Sequence, residues 1–206
     1  MTRGSTVDID AFARAVDPRL LDDEQFVQLV DTLDMLGRAG TGIDLAAMRT
    51  DTFVWFVSRA SEPQLTGLMA HPHLRHVVFD EVFRRMSEHL DTAKAATLEA
   101  VVHWRFSDGA GDYDRFETVI ENGTCSSGRE PTADPRVTIT LAPADFLRVV
   151  TGKVHVAMLF MRGKVRVRGD IAFAANLIGY FDLPSPSERD GHGGVGQDRA
   201  DVRQEL

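Results

Sequence analysis

The segment between residues 158 and 181 constrains the fold more than any other part of the chain. Residues 164–168 alternate charged and β-branched side chains, which is typical of a half-buried strand. Gly169 ends this strand, and Asp170 follows at a position where a carboxylate can accept the first amide hydrogens of a helix. Apolar residues then recur at three- and four-residue steps to the end of the segment. The pattern predicts a short basic strand and an apolar helix, and we interpret the helix as one wall of an apolar cavity.

Helical spacing of apolar residues dominates the first 90 residues of the chain. It predicts a long helix that ends at Gly37 and a second helix over residues 44–60 with Asp44 as its cap. Pro63 is tolerated in the first turn of the next helix, and a longer helix is predicted over residues 73–89. The sequence therefore predicts an all-helical N-terminal region.

Alternating patterns replace the helical ones near residue 97. They predict four strands, over residues 100–106, 113–121, 124–129 and 137–141. Asn122-Gly123 is a strong signal for a two-residue hairpin between the second and third strands, because both residues tolerate positive φ. A helix opened by Pro143 follows, and the basic strand after it is the fifth. This order predicts an α+β fold, with a five-stranded sheet flanked by helices and an N-terminal all-helical extension.

Composition excludes several functional classes. The formal net charge of −8 disfavours binding to nucleic-acid phosphates. The single cysteine, Cys125, excludes an intramolecular disulfide and fits a reducing compartment. No secretory signal is visible, and no apolar run approaches the roughly 20 residues that a membrane span needs. We therefore expect a cytoplasmic protein, with a disordered tail over residues 185–206, where few apolar residues remain.

Several segments of the second half resemble, in their order, the sterol carrier protein-2 family, also called the sterol-transfer domain. The resemblance is carried by VTITL and PADFLRVVTGK (residues 137–153), by LFMRGKVRVRGD (residues 159–170) and by the apolar helix after them. Upstream, the segments VFDEVFRRM, VVHWRF and VIENGT are similar to the bacterial branch of that family. Together these motifs cover residues 79–184.

The resemblance implies a domain organisation and a function. It implies that the sheet and its helices enclose an apolar tunnel for fatty acyl chains, acyl-CoA, sterols or phospholipids, with no metal, cofactor or catalytic residue. The lipid-binding domain is then expected at residues 71–184, after a helical extension at residues 1–70. We expect a non-enzymatic protein that binds a hydrophobic small molecule or lipid and either sequesters or transfers it, with transient membrane contact and no nucleic-acid partner. The oligomeric state stays open.

Eight apolar side chains are predicted to contact the ligand. They are Phe146, Val150, Met158, Phe160, Ile171, Phe173, Leu177 and Phe181. The competing interpretation is that they are ordinary core, because apolar helical stripes usually pack inside domains. It is favoured for Phe146 and Val150, as for Trp104, whereas the resemblance favours tunnel lining for Phe160 and the C-terminal helix.

Four basic side chains are predicted to contact an anionic head group or a membrane surface. They are Lys153, Lys164, Arg166 and Arg168. The alternative is a solvated strand face, where such charges contribute little.

Two other kinds of site are considered and disfavoured. His71, His73 and His76 have spacing that could suggest a metal, but Pro72 intervenes and no carboxylate or thiol pattern completes the site. Cys125 lacks the local signature of a catalytic cysteine, so no metal or catalytic site is predicted.

Two alternative functions remain open. An accessory protein or enzyme could use the same pocket for a non-lipid substrate, with His103, His155 or Asp170 as the titratable group. The N-terminal helices could instead bind a protein partner, and we expect residues 8–70 to pack onto the sheet domain.

Overall fold

The structure is a computed structural model that describes residues 8–107 and 113–184. Its helices are α1 (Ile9–Ala15), α2 (Asp23–Arg38), α3 (Thr50–Arg59), α4 (Glu62–Ala70), α5 (Pro72–Glu88), α6 (Pro143–Val150), α7 (Val156–Met161) and α8 (Ile171–Asn176), with 3₁₀ turns at Pro18–Leu20 and Leu177–Tyr180. Its strands are β1 (Ala100–Ser107), β2 (Tyr113–Glu121), β3 (Thr124–Gly128), β4 (Val137–Leu141) and β5 (Val165–Gly169). The tail predicted at residues 185–206 lies outside the described residues.

Capping boxes set the start of two N-terminal helices. At α2, the Gln25 amide donates to the Asp22 carboxylate (2.8 Å), and the Asp22 amide donates to the Gln25 side chain (3.0 Å). Ser61 and Gln64 exchange the same pair of hydrogen bonds at α4. Each exchange satisfies two amide hydrogens that the first helical turn leaves without a partner.

Helix α3 begins six residues later than the sequence predicts. Asp44 does accept a hydrogen bond from the Ala47 amide (2.6 Å), but the chain after it forms turns. The carbonyl oxygens of Leu45 and Met48 accept hydrogen bonds from Nη2 of the buried Arg85, at 2.6 and 2.8 Å. Because these carbonyls bind a guanidinium on another helix, helical hydrogen bonding starts only after them.

The α-helical part of the last segment is shorter than predicted. It ends at Asn176 and continues as a 3₁₀ turn instead of reaching residue 181. The Asp91 amide donates to the Tyr180 carbonyl (2.8 Å), and the Asp182 amide donates to the His89 carbonyl (2.7 Å). These bonds attach the chain to the segment that follows α5, so the backbone has to leave the helical path before residue 181.

The sheet has five strands in the order β3-β2-β1-β4-β5. The central pair β1–β4 is parallel, and the other three pairs are antiparallel. Asn122 and Gly123 join β2 to β3 with φ of 50° and 71°, as the hairpin signal predicts. The predicted α+β fold, with a five-stranded sheet, flanking helices and an N-terminal helical region, is confirmed.

Side chains on the sheet alternate between two faces. In β1, Val102, Trp104 and Phe106 are buried, whereas His103 and Arg105 between them are half-buried. We call the buried side the core face and the other side the open face. Directly paired residues of neighbouring strands share a face, so the register extends this assignment across the sheet.

Six aromatic rings fill the layer between the core face and two helices. Neighbouring ring centroids are 4.2 to 6.4 Å apart. The rings, which we call the ring cluster, belong to Phe79 and Phe83 of α5, Trp104 and Phe106 of β1, Phe116 of β2 and Phe146 of α6. Aromatic packing of this density stabilises the contact between the helices and the sheet.

The N-terminal helices pack on the outer side of α5 and α6. Apart from the half-buried Arg148, every residue of α6 is buried, because Phe146 packs on the rings of β1 on one side and α3 and α4 cover the other. The Lys153 ammonium, after α6, donates to the Ala60 carbonyl. Residues 8–70 therefore contact the sheet region as expected, within one continuous buried core. The domain boundary at residue 70 stays a prediction.

Candidate functional site

Exposed large apolar side chains concentrate on α7 and at the start of α8. Met158, Phe160 and Met161 of α7 are 40%, 50% and 79% exposed, and Ile171 is 58% exposed. Leu159 is buried and holds α7 against the core. In the other described residues, the exposed large apolar side chains are Phe12, Leu20 and Met35. We call the four exposed side chains of α7 and α8 the apolar surface, since such concentrations are typical of interaction sites.

The eight predicted ligand contacts fall into three groups. Met158, Phe160 and Ile171 belong to the apolar surface. Buried residues of the C-terminal segment form the second group, which consists of Phe173, Leu177 and Phe181. Residues of α6 form the third, in which Phe146 joins the ring cluster and Val150 is buried. Helices α7 and α8 both contact β5, so the first two groups flank the same strand. The role of all eight residues in ligand binding stays a prediction.

Five clefts of the described residues are open to solvent, with volumes between about 330 and 630 Å³. The largest of these lies between α2, α4 and the start of α5 and is lined by Asp23, Glu24, His71 and other, mostly polar residues. None of these clefts is lined by a residue of α6, α7 or α8. These five clefts therefore do not account for ligand binding at α7 and α8.

The four predicted basic contacts lie in two separate places. Lys153 faces α3, where burial lowers the pKa of its ammonium, and Lys164 Nζ lies 3.4 Å from Glu62 Oε1 at the start of α4. Arg166 and Arg168 point from β5 to the open face, because they pair with Thr140 and Thr138. The structure therefore does not bring the four together. Among the described residues, no helix has both the length and the apolar character needed to cross a membrane.

The three titratable groups considered for catalysis also lie apart. His103 Nε2 is 3.1 Å from Glu117 Oε2 on the open face. Asp170 caps α8 by accepting the Phe173 amide (2.8 Å), and this bond and the ion pair with Arg136 lower the pKa of its carboxyl. His155 is exposed at the start of α7.

Glu117 is a buried carboxylate that the sequence does not single out. Burial raises the pKa of Glu117, but hydrogen bonds donated by the Thr132 side chain and amide, the Ala133 amide and His103 outweigh burial and hold it at about 2. Glu117 thus fastens the loop before β4 to the sheet as a stable anion.

Two of the three histidines near the start of α5 lie beside carboxylates. His73 Nε2 lies 2.7 Å from Asp34, and His76 Nε2 lies 3.2 Å from Asp114. In residues 8–107 and 113–184, no group of three or more histidine, cysteine or acidic side chains could hold a metal ion. Burial raises the pKa of the Cys125 thiol, which disfavours a thiolate nucleophile.

The comparison with protein families decides the identity of the C-terminal half. The model of the SCP-2 sterol transfer family matches residues 79–182, about half of the chain. The chain belongs to this family. The match begins in α5 and ends after the last 3₁₀ turn, so it contains every predicted site residue and leaves α1 to α4 outside.

Individual curated relatives match about half of the chain. "Hydroxysteroid dehydrogenase-like protein 2" of Rattus norvegicus is 29% identical over 106 residues, which are 52% of this chain and 20% of the relative. "Sterol carrier protein 2" of Gallus gallus is 27% identical over 103 residues, which are 50% of this chain and 19% of the relative. The matches thus span about a fifth of these relatives. Among solved structures, apo sterol carrier protein 2 of Yarrowia lipolytica covers 64% of this chain and 88% of its own at 21% identity and a TM-score of 0.38.

Sequence reasoning missed two features of these surfaces. Met161 is the most exposed side chain of the apolar surface, and its place beside Arg162 at the end of an apolar run is the signal that could have identified it. Arg105 and Arg115 face each other on the open face. Each lies on the polar side of its predicted strand, but their meeting requires the register between strands.

Proposed function

We propose that this protein binds a hydrophobic ligand with an alkyl chain, such as a fatty acid, acyl-CoA, sterol or phospholipid, at α7 and α8 and catalyses no reaction. The apolar surface is the observation that carries the proposal. Membership of the SCP-2 sterol transfer family supports it, since the surface lies within the matched residues.

An apolar surface is sufficient for binding of this kind. Burial of one methylene contributes about 0.8 kcal/mol, so a chain of about sixteen carbons contributes on the order of 12 kcal/mol before the losses on association. The loss of ligand freedom offsets much of this gain, and micromolar binding remains reachable. A ligand can therefore be held without a specific polar contact.

The short helix α7 is the element that we propose to admit the ligand. Six residues long, it has Leu159 as its buried side chain and is preceded and followed by Gly152 and Gly163, at φ of 71° and 68°. Outward movement of α7 would open the buried core beneath Leu159 to an alkyl chain. We further propose that transient membrane contact through Met161 delivers the ligand, since exposed apolar side chains insert into the bilayer interface.

The first test is whether the purified protein carries a lipid and exchanges it. Native mass spectrometry should reveal a co-purified ligand, and an added fatty acid should displace a fluorescent fatty acid from the protein. The proposal is wrong if fatty acids, acyl-CoAs, sterols and phospholipids all fail to bind.

Exposed methionines provide a matched pair of variants for locating the site. Met158→Ser and Phe160→Ser should weaken binding of the fluorescent fatty acid about fivefold to tenfold, because each removes roughly 1 kcal/mol of apolar contact. Met35→Ser changes an exposed methionine of α2, outside the family match, and should leave affinity unchanged. Equal effects of Met158→Ser and Met35→Ser would exclude the apolar surface as the binding site.

A further inference from the structure

Both ends of the segment that contains α7 are bound to the same place on the N-terminal helices. Lys153 precedes α7, and its ammonium donates to the carbonyl oxygen of Ala60, which caps the end of α3. Lys164 follows α7, and its Nζ lies 3.4 Å from Oε1 of Glu62, the first residue of α4. Ser61 alone separates Ala60 from Glu62. We call these two contacts with the α3–α4 junction the latch.

The α3–α4 junction attracts positive charge for two reasons. The carbonyl of Ala60 lies at the C-terminal end of α3, where the helix dipole and the last carbonyl groups favour a cation. The carboxylate of Glu62 adds a full negative charge and also lies 3.1 Å from Nη1 of Arg148 on α6. Electrostatic attraction to one short turn therefore holds Lys153 and Lys164 in place.

Glu62 belongs to a network of four alternating charges. Arg148 Nη1 lies 3.0 Å from Asp145 on its own helix, and Lys164 Nζ lies 3.7 Å from the same carboxylate. The side chains of Arg148 and Asp145 are 16% and 8% exposed, whereas those of Lys164 and Glu62 are 41% and 54% exposed. Water therefore competes for the outer pair, Lys164 and Glu62, much more than for the inner pair. The outer pair is the part of the network that can open.

Opening of the latch leaves the elements around α7 intact. Its contacts are made by side-chain ammonium groups, so α6 and β5 keep their backbone hydrogen bonds when the contacts break. Helix α7 is six residues long, and Leu159 is its buried side chain. A helix of this length is marginal by itself, so the contacts at its two ends contribute strongly to its position.

The latch joins the residues that match the family to the helices before them. Lys153 and Lys164 lie inside the matched residues 79–182, and Ala60 and Glu62 lie outside them. The N-terminal helices thus supply the groups that hold the helix proposed to admit the ligand.

We propose that the α3–α4 junction regulates ligand exchange by holding α7 closed, an inference that rests on the proposed function. With the latch closed, Leu159 stays packed and the core beneath it is shut. When Lys164 leaves Glu62 for water, the segment moves outward at Gly163 and the ligand enters or leaves. The latch is closed in both the free and the loaded protein. Its contribution therefore cancels from the affinity and acts on the rates of entry and exit.

Stopped-flow mixing of the full chain with a fluorescent fatty acid tests the latch. Glu62→Gln should raise the association and dissociation rates about threefold to fivefold each, because it removes the attraction of a partly exposed ion pair, and should leave the affinity within about twofold. Glu88→Gln is the matched control and should leave both rates unchanged. Glu88 is 51% exposed, binds Arg84 on α5 and lies beside Ser127 of β3, at the opposite edge of the sheet from β5.

Ionic strength and a second substitution act on the same contact. Sodium chloride at about 1 M reduces the screening length to about 3 Å, so it should raise the rates of the parent protein and have less effect on Glu62→Gln. Lys164→Gln should also raise both rates. The double variant should show less than the product of the two single effects, because both substitutions remove one contact.

Hydrogen exchange of the free protein provides a measurement that needs no ligand. The amides of α7 should exchange about threefold to fivefold faster in Glu62→Gln than in the parent or in Glu88→Gln. The amides of β1 should keep their exchange rates, which separates opening of α7 from general destabilisation.

The outcomes distinguish this inference from the proposed function. If the fatty acid binds, the inference alone is overturned by unchanged rates in Glu62→Gln, by equal acceleration in Glu88→Gln or by unchanged exchange of the α7 amides. A lower affinity of Glu62→Gln with an unchanged rate of entry would also overturn it. Failure of the parent protein to bind any of the lipid classes named above would refute the proposed function, and this inference with it.

Discussion

Replacement of Gly169 by alanine should destabilise the protein by about 3 kcal/mol, through two effects at the end of β5. Gly169 has φ of 97°, a conformation that L-residues adopt at a cost of roughly 1–2 kcal/mol. A Cβ atom there would also overlap the Arg136 carbonyl oxygen and lie 3.2 Å from Cα of Val137. Both are backbone atoms at the start of β4, so relief requires strands to separate, and overpacking of this kind costs about 1–3 kcal/mol.

Alanine substitutions at two other glycines separate the effect of backbone strain from the effect of steric overlap. Gly163 has φ of 68° but open space around its Cα, so Gly163→Ala should lose only the strain, about 1–2 kcal/mol. Gly128 in β3 has neither a positive φ nor a close neighbour, and Gly128→Ala should stay within about 0.5 kcal/mol of the parent. Equilibrium unfolding in urea, followed by tryptophan fluorescence, measures all three free energies. If Gly169→Ala lost no more stability than Gly163→Ala, the close approach of β4 and β5 described above would be wrong.

Three further predictions concern charged groups. The pKa of Glu117 is about 2, below its usual 4.5. The contribution of ionised Glu117 to stability is therefore present above pH 4.5 and is lost as the pH falls toward 2. Glu117→Gln should reduce this pH dependence of the free energy of unfolding, measured in urea. Arg85→Met should lose about 2–4 kcal/mol by leaving two carbonyls without their donor, whereas Arg84→Met, at a more exposed helical position, should lose under about 1 kcal/mol. Asp170→Ala should lose about 1 kcal/mol with the cap of α8, and Asp170→Asn should recover part of it.

Each of these predictions has a contradicting result. An unchanged pH dependence in Glu117→Gln would mean that the carboxylate does not hold the loop before β4. Equal losses in Arg85→Met and Arg84→Met would show that the turns before α3 do not depend on the buried guanidinium. An unchanged free energy of unfolding in Asp170→Ala would mean that α8 starts at another residue.

The local signals of the sequence were sufficient for most of the fold. Alternation identified each strand, because half-buried strands present one apolar and one polar side. Asn122-Gly123 identified the hairpin because few residue pairs tolerate two positive φ values. Ser61 with Pro63 placed the start of α4, since its cap and first turn are set by neighbours in sequence.

Predictions were wrong where distant residues decide the local structure. The start of α3 depends on Arg85, which lies on another helix and takes the carbonyls of Leu45 and Met48. The end of α8 depends on backbone bonds to His89 and Asp91. Neither contact can be recognised from the sequence around the helix. In both places the apolar periodicity therefore predicted a longer helix than the structure has.

The sequence indicates which side chains of the candidate site are apolar or basic, but not how they are arranged, and their role in ligand binding stays a prediction. An apolar stripe identifies side chains that avoid water, but it does not tell whether Phe160 is exposed and Leu177 buried, since packing decides that. Lys164 and Arg166 look equivalent in sequence, yet one lies near Glu62 and the other faces Thr140. Strand register and helix packing, which are set by the whole chain, separate them.

The burial of α6 on all sides affects which fragments of this protein can fold on their own. One flank of this helix packs on the sheet, and the other is covered by α3 and α4, which the family match does not include. A fragment limited to residues 79–184 would expose that second flank to water and to self-association. We therefore expect the folding unit of this protein to extend beyond the residues that match the family, and a fragment cut at those bounds to be insoluble.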